Sequence, residues 1–69
     1  MPYITVECGA LSNSQKEALI RELTRTASEI TGTPPEFFLV TLKELPDQNI
    51  GIGGRTIDQV KAAYHQNNP

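Results

Sequence analysis

The sequence predicts a small α+β fold, a β-α-β unit followed by a C-terminal β-hairpin, that assembles as an oligomer. Three observations carry this prediction: strict apolar and polar alternation at the start, a four-four-three apolar spacing in the middle, and a glycine-rich segment near the end. A chain of 69 residues allows one domain, residues 1–69, with only a thin core, because so short a chain leaves much of its surface unburied. The single cysteine, Cys8, excludes a disulfide within the chain, and one cysteine with one histidine argues against a zinc site. Association between chains is the remaining source of reinforcement.

From Pro2 to Cys8, residues Ile4, Val6 and Cys8 fall on one face and Tyr3, Thr5 and Glu7 on the other, the period of a half-buried strand. Ser12 followed three residues later by Gln15 is a capping-box pattern, so a helix starts near residue 13. Leu19, Leu23, Ala27 and Ile30 form a stripe along that helix, with Lys16, Glu17, Arg21, Glu22 and Arg25 largely off it. Gly32 supplies a left-handed cap and Pro34-Pro35 forbid continuation, which ends the helix close to Thr31.

Phe37 to Leu45 reads as a second strand, with Phe38, Val40 and Leu42 on one face and Phe37, Leu39, Thr41 and Lys43 on the other. Strand, crossover helix and strand make a right-handed parallel unit in which the helix covers one sheet face. The opposite face, with Phe37 and Leu39, is left wet in a monomer, and such a patch marks an interface. After a turn at Pro46–Asn49, the segment Ile50-Gly51-Ile52-Gly53-Gly54-Arg55 is expected to form a short hairpin able to reach a neighbouring chain. The tail has some helical pattern in Ile57, Val60, Ala63 and Tyr64 and is expected to fray into Gln66-Asn67-Asn68-Pro69.

Six Lys+Arg against eight Asp+Glu give a net charge of −2, with no basic run to track phosphates, so nucleic acid is not an expected partner. No apolar stretch approaches the roughly 18 residues of a membrane span, and the start MPYITVECG is unlike a signal peptide. With one unpaired cysteine, a reducing cytoplasm is the expected location.

The chemistry begins with Pro2. A proline directly after the initiator methionine is normally left as the first residue of the mature chain, and its nitrogen is then a secondary amine. An α-amino group titrates near pH ~8, and burial or a nearby cation brings it toward neutrality, where a general base works best. A lysine side chain needs a much larger shift to do the same. The dipeptide alone favours the plainer reading, a merely stable terminus, and the context has to overturn it.

That context is an order of parts: Met1-Pro2 opening a strand, a helix carrying SNSQKEALIRELT, a Gly-Thr-Pro-Pro stop, a long strand ending KEL, then NIGIGG. In its Met1-Pro2, its Gln15-Lys16 with Leu19-Ile20-Arg21-Glu22, and its Gly51-Ile52-Gly53-Gly54, the chain resembles the 4-oxalocrotonate tautomerase family from Pro2 to about Arg55. The resemblance implies β-α-β units that pair into dimers and assemble as hexamers, trimers of dimers. It implies that Pro2 is the catalytic residue, shuttling a proton on a keto-enol or dienol acid, with no cofactor and no metal.

The resemblance also assigns a substrate pocket. The family's enzymes place one arginine just before the helix cap and another on the second strand, where this chain has Leu11 and Leu39, and an aromatic residue before the Gly-Ile-Gly-Gly segment, where it has Ile50. Losing two cations forfeits charge-assisted hydrogen bonds worth several kcal/mol together by order of magnitude. Three readings follow. The chain is an active tautomerase on a less charged substrate or with Lys43 or Arg55 as substitute cations; or it is the arginine-lacking partner of a homologous second subunit in a heterohexamer, of the tautomerase or haloacrylate dehalogenase kind; or it is a non-catalytic oligomeric scaffold.

Other signals are weaker. Gly51-Ile52-Gly53-Gly54 lacks the last glycine of a dinucleotide loop, since residue 56 is Thr. Cys8 is in phase with Ile4 and Val6 and reads as a small core residue. His65 has no acidic or cysteine partner at ligand spacing and is expected in solvent, and Tyr3 could edge the pocket or pack.

Overall fold

The computed structural model describes residues 1–67, and of Gln66 and Asn67 the backbone alone. Strand β1, Tyr3–Cys8, leads to helix α1, Asn13–Thr31, then to a 3-10 turn at Pro35–Phe37 and strand β2, Leu39–Glu44. A second 3-10 turn, Asp47–Asn49, precedes the two-residue strands β3, Gly51–Ile52, and β4, Arg55–Thr56, and helix α2, Ile57–Asn67. β1 and β2 pair in parallel with Tyr3 opposite Leu39, Val6 opposite Leu42 and Cys8 opposite Glu44, while β3 and β4 form an antiparallel hairpin. The parallel pair joined by a helix and the glycine-rich hairpin both match the sequence reading.

α1 begins where local chemistry places it. The Ser12 hydroxyl accepts from the Gln15 amide at 3.2 Å, and the Gln15 side chain accepts from the Ser12 amide at 2.9 Å. This reciprocal pair satisfies two amides that no helical carbonyl can reach, a contribution of about 1 kcal/mol. The helix stops at Gly32, whose φ of 71° is a left-handed conformation and whose N–H donates to the Ser28 carbonyl at 2.9 Å.

Alternation holds in both strands: Ile4, Val6, Cys8, Val40 and Leu42 are half-buried, and Tyr3, Thr5, Glu7, Leu39, Thr41 and Lys43 are exposed. Three details correct the sequence reading. The strand expected from Phe37 to Leu45 begins at Leu39, because Pro34-Pro35 start a 3-10 turn in which Phe37 donates to the Pro34 carbonyl and Phe38 to that of Pro35. Ile30, expected on the packed stripe with the half-buried Leu19, Leu23 and Ala27, is 79% exposed. The tail does not fray at Gln66; α2 continues to Asn67, with Ile57, Val60 and Ala63 half-buried and Lys61 paired to Asp47 at 2.8 Å. Asn68 and Pro69 lie outside the described residues.

Among the described residues no side chain is fully buried in the isolated chain, and Tyr3, Phe37, Leu39 and Ile52 remain 46–71% exposed. The molecule is elongated, 45 × 24 × 21 Å, with a radius of gyration of 16.0 Å. A compact domain of this length has about 11 Å. Among the described residues no helix is long and apolar enough to cross a membrane.

Candidate active site

Pro2 stands half-buried at the first rung of the sheet, where its carbonyl accepts the Leu39 amide at 3.1 Å. That bond extends the parallel ladder by one residue and fixes Pro2 beside Leu39. Parallel pairing makes this unavoidable, since both strands then start at the same end. Met1 beyond it is 77% exposed.

The other expected site residues lie elsewhere. Lys43 shares the exposed face of Leu39 but pairs with Glu7. It lies four strand positions on, about 13 Å away. Leu11 follows the far end of β1, with its amide donating to Glu44 Oε2 at 2.9 Å. Six strand residues separate it from Pro2's end of the sheet, about 20 Å.

Ile50 closes the turn that starts at Asp47, whose carboxylate stands against Gly9 at the same far end. Its carbonyl accepts the Ile57 amide at 2.9 Å, which seats α2 directly behind it. Arg55 is exposed and spends one guanidinium nitrogen, at 3.3 Å, on the Gln59 carbonyl of α2. One chain therefore brings together Pro2 and Leu39, while Leu11 and Lys43 lie toward the opposite end of the sheet and Ile50 and Arg55 are tied to α2 beyond it.

Two shallow grooves run along α1. The first is lined by Leu11, Gln15, Ala18, Leu19 and Glu22, an almost wholly apolar surface at the helix start. The second, toward the helix end, holds Arg21 and Arg25. Arg25 is taken up there by Glu22 at 2.8 Å and Glu29 at 3.1 Å, so its guanidinium is raised above its ordinary value and Glu22 held below it. These side chains are more than half exposed, and solvent screens such pairs.

The sequence reading missed Glu44. Its carboxylate bonds Lys16 Nζ at 2.6 Å on α1 and the Leu11 amide in the loop, and the Lys16 ammonium, then the Leu11 amide, hold it below the usual carboxylate range. No periodicity signals a contact 33 residues apart. A lone acidic residue at a strand end, facing a lysine in the first turn of the preceding helix, is the only hint the sequence carries.

Residues 2–59 match a family described as tautomerase enzymes. A probable tautomerase of Bacillus cereus is 34% identical over 58 residues, 83% of this chain and 95% of that protein. The 2-hydroxymuconate tautomerase of Pseudomonas fluorescens is 44% identical over 43 residues, 62% of this chain and 68% of that protein. Among solved structures, TomN, a 4-oxalocrotonate tautomerase homologue in the tomaymycin biosynthetic pathway, superposes with a TM-score of 0.84 at 34% identity, covering 88% of this chain and 95% of that one. A structure analysed for trans-3-chloroacrylic acid dehalogenase activity gives 0.71 at 30% identity, over 80% and 97% of the two chains. A heterohexamer 4-oxalocrotonate tautomerase from Chloroflexus aurantiacus gives 0.75 at 20% identity over 87% and 97%, a likeness of fold alone.

Proposed function

The chain belongs to the tautomerase family, and from that premise we propose that it is a cofactor-independent isomerase, one domain over residues 1–69, in which Pro2 is the base. Once Met1 is removed, the secondary amine of Pro2 takes the hydroxyl proton of an enol acid and the resulting ammonium returns it to carbon. Nothing is consumed, so no co-reactant is needed. The single observation that carries this reading is the position of Pro2, half-buried and pinned to Leu39 at the open end of the sheet. A base held by its own backbone keeps its direction without a side chain to freeze.

The proposed substrate is a keto or enol monoacid with an apolar tail, because Leu11, Leu39 and Ile50 offer the pocket no charge. Lys43 and Arg55 are weaker candidates as substitute cations: Lys43 stands opposite the acidic Glu7 in the strand register, and Arg55 is bonded to the Gln59 carbonyl of α2. A pocket that uses both ends of the sheet needs two copies, for which we propose a hexamer built as a trimer of dimers in a reducing cytoplasm. The exposed apolar sheet face and the elongated shape support that assembly.

The test is ultraviolet assay of the Met1-processed protein for ketonisation of phenylenolpyruvate and 2-hydroxymuconate, with Pro2→Ala alongside and the assembly mass measured for both. Turnover of the aryl enol acid is expected to fall about 10²–10⁴-fold in Pro2→Ala at unchanged mass. Equal turnover in the two proteins removes Pro2 from the mechanism. The leucines at positions 11 and 39 favour one second reading, that of partner subunit to an arginine-bearing homologue; it predicts no turnover alone and turnover on mixing the two chains.

A further inference from the structure

We propose that Glu44 is a positioning residue that holds the Leu11 wall of the substrate pocket in place, an inference that rests on the proline-dependent reading above. Leu11 sits in a gap between two hydrogen-bonded systems. On one side the β1–β2 ladder ends with the Leu45 amide donating to the Cys8 carbonyl at 2.8 Å. On the other, the capping box begins at Ser12. The Leu11 amide belongs to neither and goes to Glu44 Oε2 at 2.9 Å, while Oε1 of the same carboxylate takes Lys16 Nζ at 2.6 Å.

One side chain thus ties together the end of β2, the loop after β1 and the first turns of α1. Both acceptors are on a charged group, which makes the bonds shorter and stronger than neutral ones. The Glu44 and Lys16 side chains are 35% and 34% exposed, against 52–68% for the pairs along α1, so this clamp is less screened than the others. The Leu11 side chain forms one end of the apolar groove with Ala18 and Leu19. A loop free to swing would blur that end, and the apolar tail of a substrate would lose contact while the proton transfer at Pro2, on another chain, proceeds unchanged.

Three variants separate the parts. Glu44→Ala removes both bonds, Lys16→Met removes the ion pair alone, and Glu44→Gln keeps an oxygen for the Leu11 amide. In Glu44→Ala, KM for phenylenolpyruvate is expected to rise about tenfold, with kcat and its pH profile within about twofold. Glu44→Gln recovers most of that loss. Hydrogen exchange at the Leu11 amide, read by NMR, is expected to quicken about tenfold in Glu44→Ala and little in Glu44→Gln.

Unchanged KM and unchanged Leu11 exchange in Glu44→Ala overturn the proposal. Parallel loss of kcat, melting temperature and assembly, with no rescue by Gln, overturns it too and leaves a structural role only. A wild-type protein with a protected Leu11 amide but no Pro2-dependent turnover, alone or mixed with an arginine-bearing homologue, rejects the proline-dependent reading and with it the pocket role, while the clamp itself stands.

Discussion

Dilution is expected to melt this protein. The chain exposes 5265 Å² and has a mass of 7.6 kDa. A compact monomer of that mass exposes about 4,300 Å². The excess, roughly 1,000 Å², is of the size that each partner gives to a standard protein interface, about 800 Å². Since no described side chain is fully buried within one chain, folding and association are expected to be one transition. At about 0.7 kcal/mol per residue the unfolding enthalpy is near 50 kcal/mol per chain. The van't Hoff relation then gives a melting temperature that falls by about 5 °C per tenfold dilution for a dimer and by about 9 °C for a hexamer. Circular dichroism melts across a hundredfold range of concentration, with the mass at each by light scattering, measure this directly. A melting temperature constant across that range at a mass of 7.6 kDa would refute the reasoning, because the thin core would then suffice.

Three further outcomes are expected. Gly32→Ala forces a residue with a Cβ into a φ of 71°, and although nothing within 4 Å obstructs the added atom, the backbone strain costs about 1–2 kcal/mol. It reads as a lower melting temperature at fixed concentration. The double variant Leu11→Arg with Leu39→Arg is expected to gain 2-hydroxymuconate turnover by ten- to a hundredfold per restored charge-assisted bond, and identical kinetics in the double variant would take these positions out of the pocket. The Glu44 carboxyl lies below its ordinary value in the folded chain, so its contribution is present above the unfolded glutamate range and is lost as pH falls through the folded value. Glu44→Gln should therefore flatten the acid side of the stability curve below about pH 4.5, and an unaltered acid limb in that variant counts against the clamp.

The parts of the fold that were legible in the sequence are those set by local chemistry. Two faces of β1 follow from a period of two, and both ends of α1 follow from Ser12-Gln15 and from Gly32 before Pro34-Pro35. What escaped depends on geometry between elements. Ile30 keeps the helical stripe yet lies in solvent, because a 19-residue helix is about 28 Å long and a six-residue strand about 20 Å, so the last turn overhangs the sheet. Phe37 alternates in phase with β2, but the prolines before it turn the chain until Leu39. In the site, Pro2 could be singled out as a residue type and Leu39 through the resemblance, whereas their standing side by side follows only from the strand register. Glu44 follows from nothing local.

Parallel pairing is also why assembly and the proposed chemistry are inseparable. It places the starts of both strands together, so Pro2 meets Leu39, and it sends the helix start and the hairpin arm to the other end. The gap of about 20 Å is beyond the reach of any side chain. A pocket made of Pro2, Leu39, Leu11 and Ile50 must take its halves from different copies. The charge in that pocket is then set by which chain supplies the second half. Identical copies give an apolar wall suited to a monoacid, and an arginine-bearing homologue in the same place gives a cationic one suited to a diacid. The two readings of this chain therefore differ in the neighbour of Pro2 and share one architecture, and the mass and composition of the assembly that carries turnover decide between them.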